Sequence, residues 1–268
     1  MLLKRILVII LLGPIVIAAI FFGGWPFSIL LAAALGIAAW EFWRIFCNGC
    51  NSPSMLVLIA GVALQILARQ QWDITGSAAV LSAGIMAAMA WHVFAYGRGQ
   101  HQAGSDFAIT TAGLAYLGWL GGYFISLRNL PDGQWWLMGM LGAVWIADSG
   151  AYLVGSRFGR HKMAPHVSPH KSWEGYLGGI GFAILGGALL GWLGQNVLPQ
   201  VSILEAAALA GAIAVLTPMG DLGESMLKRQ FGVKDSSNIL PGHGGLLDRV
   251  DSWLWTVTLG YYLALWLG

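Results

Sequence analysis

The sequence predicts an all-α, polytopic integral membrane protein, a helix bundle with about nine transmembrane helices. Hydrophobic residues make up 57% of its 268 positions and charged residues only 10%, and the mean hydropathy is +0.69. Its apolar runs have the length of membrane-spanning helices and lack the short alternating pattern of barrel strands. Such a composition lies outside that of a soluble globular domain. A formal charge of +2 argues against nucleic-acid binding, which needs basic residues clustered on a solvent-facing module.

The spans are read, in order, at residues 6–22, 27–46, 55–70, 75–96, 107–126, 134–154, 174–195, 202–220 and 252–267. Turn residues separate them: Gly23-Gly24, Asn51-Ser52-Pro53, Gly97-Arg98-Gly99, Pro131-Asp132-Gly133 and Leu198-Pro199. The first run follows Lys4 and Arg5 and reads as a retained helix, because no small-x-small cleavage site precedes Gly23 and another apolar run follows at once. Threading nine spans from a cytoplasmic N-terminus leaves only Arg69 and Arg128 outside, and the other twelve basic residues inside. That asymmetry is what the positive-inside rule requires.

The chain is divided into N-terminal transmembrane helices over residues 1–140 and a C-terminal transmembrane region over 141–268. The second carries two long polar loops, 156–173 and 221–251, both cytoplasmic and therefore able to face one site. Gly175, Gly179, Gly187 and Gly191 form small-xxx-small pairs suited to close helix packing. Cys47 and Cys50 lack the second ligand pair of a zinc site and read as reduced thiols. The histidines show no metal-ligand spacing. Glu41 reads as a local i,i+3 partner of Arg44.

The remaining acidic residues carry the chemistry. Asp148 sits in the apolar run "LGAVWIADSGAYLVGSRFGR", where a charge facing lipid costs roughly 2.5 to 3.5 kcal/mol. It must face protein or water, and Tyr152 and Gly155 share its helical face, so carboxylate, phenol and a gap for a ligand line up. Beyond it, Arg157, Arg160, Lys162 and Lys171, interleaved with glycines, Ser168 and Ser172, suit a phosphate-bearing ligand. The same basic residues also satisfy topology alone. Ser172 before Glu174 marks a helix start.

The stretch "TPMGDLGESMLKRQFGVKD" places Asp221, Ser225 and Lys228 on one face of a helix leaving the membrane. "PGHGG" then offers backbone amides unobstructed by side chains, suited to phosphate oxygens. Asp248 and Asp251 follow, three apart on one face. Carboxylates from two separate helices can share a divalent cation, and an all-oxygen site favours Mg²⁺ over zinc. With Lys228 and Ser225 alongside, the ligand expected is a nucleotide phosphate chain, although no P-loop is present.

The residues "SMLKRQFGVKDSSNILPGHGGLLDRVD", Ser225 to Asp251, resemble the signature of the CDP-diacylglycerol synthase (phosphatidate cytidylyltransferase) family. "ADSGAYLVGSRFGRHK" and "SPHKSWEG" are similar to that family's other cytoplasmic segment, with Ser149 and Ser172 where the family has Thr, and Arg160 and His170 where it has Lys. Over roughly the first 140 residues the resemblance is one of hydropathy alone. It implies transfer of the cytidylyl group of CTP to phosphatidate, with Mg²⁺ as cofactor and room for a second cation.

On that resemblance Asp221 and Asp248 hold metal, with Asp251 a third ligand or a support to the others. Ser225, Lys228 and Arg249 hold phosphates, and His243, Gly244 and Gly245 line the pyrophosphate path. Asp148, Tyr152, Lys162, Ser168, Lys171 and Ser172 bind the nucleotide or the lipid headgroup. The nucleophile is a phosphate oxygen already ionised at neutral pH, so no Ser-His-Asp arrangement is needed and none is visible. The expected location is the bacterial cytoplasmic (inner) membrane, with the lipid bilayer as surroundings, no nucleic-acid partner, and a homodimer at family level. The alternatives are a CTP-dependent polyprenol kinase, which releases CDP, and a cation-coupled transporter built on Asp148 and Asp221. No internal repeat of the kind common in transporters is visible.

Overall fold

The computed structural model describes residues 2–239, 242 and 244–267; His243, one of the predicted site residues, lies outside them. Among the described residues the fold is all-α apart from one short hairpin. In order it forms α1 (Leu2–Phe22), α2 (Gly24–Cys47), α3 (Met55–Gly97), α4 (Ala103–Gly113), a π-helical stretch (Leu114–Trp119) and α5 (Gly122–Arg128). Then come α6 (Gly133–Phe158), β1 (Lys162–Ala164), β2 (Ser168–Ser172), α7 (Trp173–Leu193), α8 (Ile203–Leu216), α9 (Pro218–Gln230) and α10 (Leu247–Leu267). Two compact units result: Met1–Ser126 with Leu227–Val250, and Leu127–Met226 with Asp251–Gly268.

Among the described residues six helical runs are long and apolar enough to cross a membrane, rather than nine. The difference has three physical sources. The third and fourth expected spans fall in the single run α3, whose helical backbone breaks at Trp72 and Asp73, the latter at φ +52. The described apolar part of α1, Ile10–Phe22, is short of a span. The last helix carries Asp248, Arg249 and Asp251 at its start and is rich in Trp, Tyr and Thr beyond them, which lowers its hydropathy.

The break in α3 is a reversal. A Cβ built on Gly61 would lie 2.4 Å from Leu114, and one built on Gly84 would lie 3.0 Å from the same side chain. In a straight helix those glycines would be about 35 Å apart at 1.5 Å per residue. The two arms therefore fold back on each other around Leu114. Elsewhere in this unit Gly23 (φ +63) and Gly24 (φ +54) turn the chain from α1 directly into α2, a backbone geometry that L side chains resist.

The second unit is built on the glycine pattern of α7. Cβ atoms on Gly175 and Gly179 would fall 2.9 Å from the Ala151 carbonyl and 2.8 Å from the Ala147 carbonyl, both on α6. On the same helix Gly187 and Gly191 meet Ala210 and Ala206 of α8 at 2.5 and 2.6 Å. One pair thus packs against each neighbour, as small-xxx-small spacing permits, and Ala143, Ala147, Ala183, Ala210 and Ala214 form the buried cluster of this unit.

Both polar loops acquire structure. Residues 162–172 form an antiparallel hairpin, with Lys162 opposite Ser172 and Ala164 opposite Ser168. Ser172 then caps α7, its hydroxyl accepting from the Gly175 amide at 3.2 Å. Of the expected loop 221–251, the first part is α9, entered through Pro218, and α10 begins at Leu247. Only residues 231–246 connect them.

Candidate active site

Each unit carries part of the predicted constellation. In the first, Lys228 of α9 and Asp248 of α10 form an ion pair whose side chains are 10% and 8% exposed. The other Asp248 oxygen accepts from the Ser236 hydroxyl at 2.9 Å, the Ser236 amide at 3.2 Å and the Gly245 amide at 2.7 Å. A buried carboxylate is stable only when paired and hydrogen-bonded in this way. Arg249, next along α10, is exposed.

The two glycines before α10 are required sterically. Gly244 has φ +80, and a Cβ there would stand 2.7 Å from Asp248. A Cβ on Gly245 would stand 1.9 Å from the Ser236 hydroxyl and 2.5 Å from Glu41. Of the PGHGG amides, that of Gly245 is aimed at Asp248; just beyond them, the amides of Leu246 and Leu247 are aimed at Glu41.

Glu41 is therefore a correction to the sequence reading. Its carboxylate takes hydrogen bonds from Ser236, Ser237 and those two amides, while the Arg44 guanidinium lies over the Trp40 ring, 5.5 Å from its centroid. No local spacing signals this, because the partners come from the other end of the chain.

In the second unit Lys171 of β2 reaches Asp221 of α9 at 2.6 Å, and the Ser225 hydroxyl donates to the other Asp221 oxygen at 3.2 Å. This contact joins the 162–172 hairpin to the start of α9. Lys162 is exposed on β1 and Ser168 is half-buried at the start of β2. Ser172 is 4% exposed and occupied as a helix cap. Asp251 is 5% exposed on α10. Glu224, one turn after Asp221, is buried at 2% exposure and was not singled out in the sequence.

Asp148 and Tyr152 share an exposed face of α6, Tyr152 being 75% exposed. The gap expected at Gly155 is filled, since a Cβ there would lie 3.3 Å from the Ser172 hydroxyl and 3.4 Å from Gly175. Glu174, at the start of α7, closes the hairpin instead: it accepts from the backbone amides of Arg160 and His161 at 3.2 Å and lies 2.5 Å from the His161 ring.

The two carboxylates predicted to hold metal thus each carry an ammonium group and a hydroxyl. Among the described residues no three His, Cys, Asp or Glu side chains are grouped to hold a metal ion. The donors present are oxygen-only, which fits a hard cation such as Mg²⁺ and not zinc. A lysine on one oxygen of each carboxylate and a serine hydroxyl on the other suit a ligand that brings both phosphate charge and its own cation.

The model of the Cytidylyltransferase family matches residues 3–267, nearly the whole chain. The chain belongs to the cytidylyltransferase family. It is similar to the phosphatidate cytidylyltransferase of Pseudomonas aeruginosa, 34% identical over 256 residues, which cover 94% of this chain and 93% of that protein. It is likewise similar to that of Brucella suis, 32% identical over 273 residues, covering 96% of this chain and 91% of the relative. Against the Bacillus subtilis phosphatidate cytidylyltransferase it is 39% identical over 159 residues, 59% of this chain and 58% of that protein. In this cytidylyltransferase, Lys171 pairs with Asp221 in one unit and Lys228 with Asp248 in the other.

Proposed function

We propose that this chain transfers the cytidylyl group of CTP to phosphatidate, giving CDP-diacylglycerol and pyrophosphate, at the bacterial cytoplasmic membrane. The observation that carries the reading is the pair of lysine–carboxylate contacts, Lys171 with Asp221 and Lys228 with Asp248, in a chain whose near-full-length relatives are phosphatidate cytidylyltransferases.

A phosphate oxygen of phosphatidate attacks the α-phosphorus of CTP; a P–O bond forms, the α–β bridge breaks, and pyrophosphate leaves with the electron pair. The attacking oxygen is already ionised, so no general base is assigned. What the side chains supply is alignment and charge neutralisation. Lys228, Ser225 and Arg249 orient phosphates. Lys171, with Lys162 and Ser168 on the same hairpin, holds the nucleotide or the lipid phosphate, with Asp148 and Tyr152 along α6.

Asp221 and Asp248, one in each unit, are each assigned as residues that would hold Mg²⁺, with Asp251 as support and a second cation included in the proposal. When bound, Mg²⁺ neutralises phosphate charge in the displacement. With a cation bound there, Lys171 and Lys228 would pair with phosphate oxygens instead. Pyrophosphate release from purified protein that requires CTP, phosphatidate and Mg²⁺ together tests the proposal; release of CDP instead identifies a lipid kinase and rejects it.

A further inference from the structure

We infer that Glu41 is a positioning residue for this reaction: from α2 its carboxylate clamps the connection between α9 and α10 and so sets the place of Asp248. The role in turnover rests on the cytidylyl-transfer reading; the clamp itself does not. Glu41 is fully buried. One of its oxygens accepts from the Leu246 amide at 3.0 Å and from the Ser237 hydroxyl. The other accepts from the Leu247 amide at 2.6 Å and lies 3.2 Å from the Ser236 hydroxyl. Two hydroxyls from within the connection and two amides from its junction with α10 thus converge on one side chain.

Leu247 is the first residue of α10, and the first amides of a helix have no partner within it. The acceptor normally supplied by a neighbouring Ser, Thr, Asp or Asn is here a glutamate from the second helix of the chain. Its negative charge also lies at the end of α10 where the helix dipole favours it. Asp248 is the next residue. The Ser236 hydroxyl stands 2.9 Å from Asp248 as well as 3.2 Å from Glu41; with a single proton to donate, it bridges the two carboxylates. Displacing Glu41 would therefore release Ser236, the start of α10 and one support of Asp248 together.

The surrounding packing gives the clamp a fixed base. Phe46, at the end of α2, stacks edge-on against Phe231 just after α9, with ring centroids 4.6 Å apart. A Cβ on Gly49 would meet the same Phe231 ring at 3.0 Å. Gly245 leaves no space between Ser236 and Glu41 for a side chain. The connection is thus held to α2 at both of its ends.

Glu41→Gln tests this, because it keeps the shape but replaces one acceptor oxygen with an NH₂ group, so that at least one buried amide or hydroxyl loses its acceptor. Two readouts are taken on the full chain in lipid nanodiscs: hydrogen exchange, and steady-state kinetics with CTP and phosphatidate. Exchange at residues 236–239 and 244–247 should quicken about tenfold while α6, α7 and α8 are unchanged. The kcat should fall about 10- to 100-fold, the range expected for an angstrom-scale misplacement, with the KM for CTP within about threefold and the melting temperature lowered by only a few degrees.

Unchanged exchange in the connection overturns the clamp, and a kcat within twofold of the unaltered chain overturns the positioning role. A loss of activity that merely follows a loss of folded protein does so too. Should Glu41→Gln not fold, Glu41→Asp, which keeps the charge and withdraws it by one methylene, is judged by the same two readouts. Absence of CDP-lipid from the unaltered chain would reject the reading of function, while the exchange experiment still decides the clamp.

Discussion

Lys171, on the second strand of a short hairpin, and Asp221, at the start of α9, are joined at 2.6 Å. Their side chains are 27% and 41% exposed, so as a stabilising contact the pair contributes only about 0 to 1 kcal/mol. Its proposed significance is chemical. Lys171→Met is expected to leave the melting temperature within a few degrees while lowering kcat/KM at least a hundredfold. Thermal unfolding and initial-rate kinetics on one preparation check both halves.

Lys228 and Asp248 are the contrasting case, because both are buried. Removing one partner leaves an uncompensated charge, which costs roughly 3 to 5 kcal/mol. Lys228→Met should therefore destabilise strongly, and Lys228→Met with Asp248→Asn should regain much of that stability without regaining activity. Chemical or thermal unfolding of the two single variants and the double variant measures this coupling. Equal melting temperatures for all four proteins would reject it.

Gly245→Ala places a methyl group against Ser236 and Glu41, and Gly244→Ala adds a left-handed backbone to a clash with Asp248. Both should lose activity and stability. Gly223→Ala on α9 meets nothing within 4 Å and should be neutral or stabilise by up to about 1 kcal/mol, as Ala replaces Gly in a helix. Melting temperatures of the three variants give the comparison.

The glycine seam of α7 makes a prediction about folding alone. Gly187→Val and Gly179→Val drive side chains into α8 and α6 and should reduce the folded yield. Gly181→Ala, with nothing within 4 Å, should not. Size-exclusion profiles in detergent report the difference.

The parts of the fold legible in the sequence were those written locally. The hydropathy of α2, α6 and α7, the Ser172 cap, the Gly23-Gly24 and Pro131-Asp132-Gly133 turns and the α7 glycine pattern each depend on neighbours along the chain. The reversal inside α3 was readable as two apolar runs, but their helical pattern continues through Trp72 and Asp73 almost without a turn residue. The hairpin at 162–172 was missed because its strands are short and charged, with no alternation to reveal them. In the candidate site, Asp221, Ser225 and Lys228 follow from helical spacing. Glu41 does not, since its partners lie at the far end of the sequence and only the fold brings them to it. The apparent gap at Gly155 failed for the same reason: the sequence shows that space exists there, and not that α7 fills it.

The most direct measurement uses CTP labelled in the α-phosphate, phosphatidate and Mg²⁺ with the purified chain. The account predicts label in a CDP-lipid, pyrophosphate released in equal amount, and loss of both in Asp248→Asn. Label retained in released CDP, or unaltered turnover in Asp248→Asn at the same Mg²⁺ dependence, would contradict it.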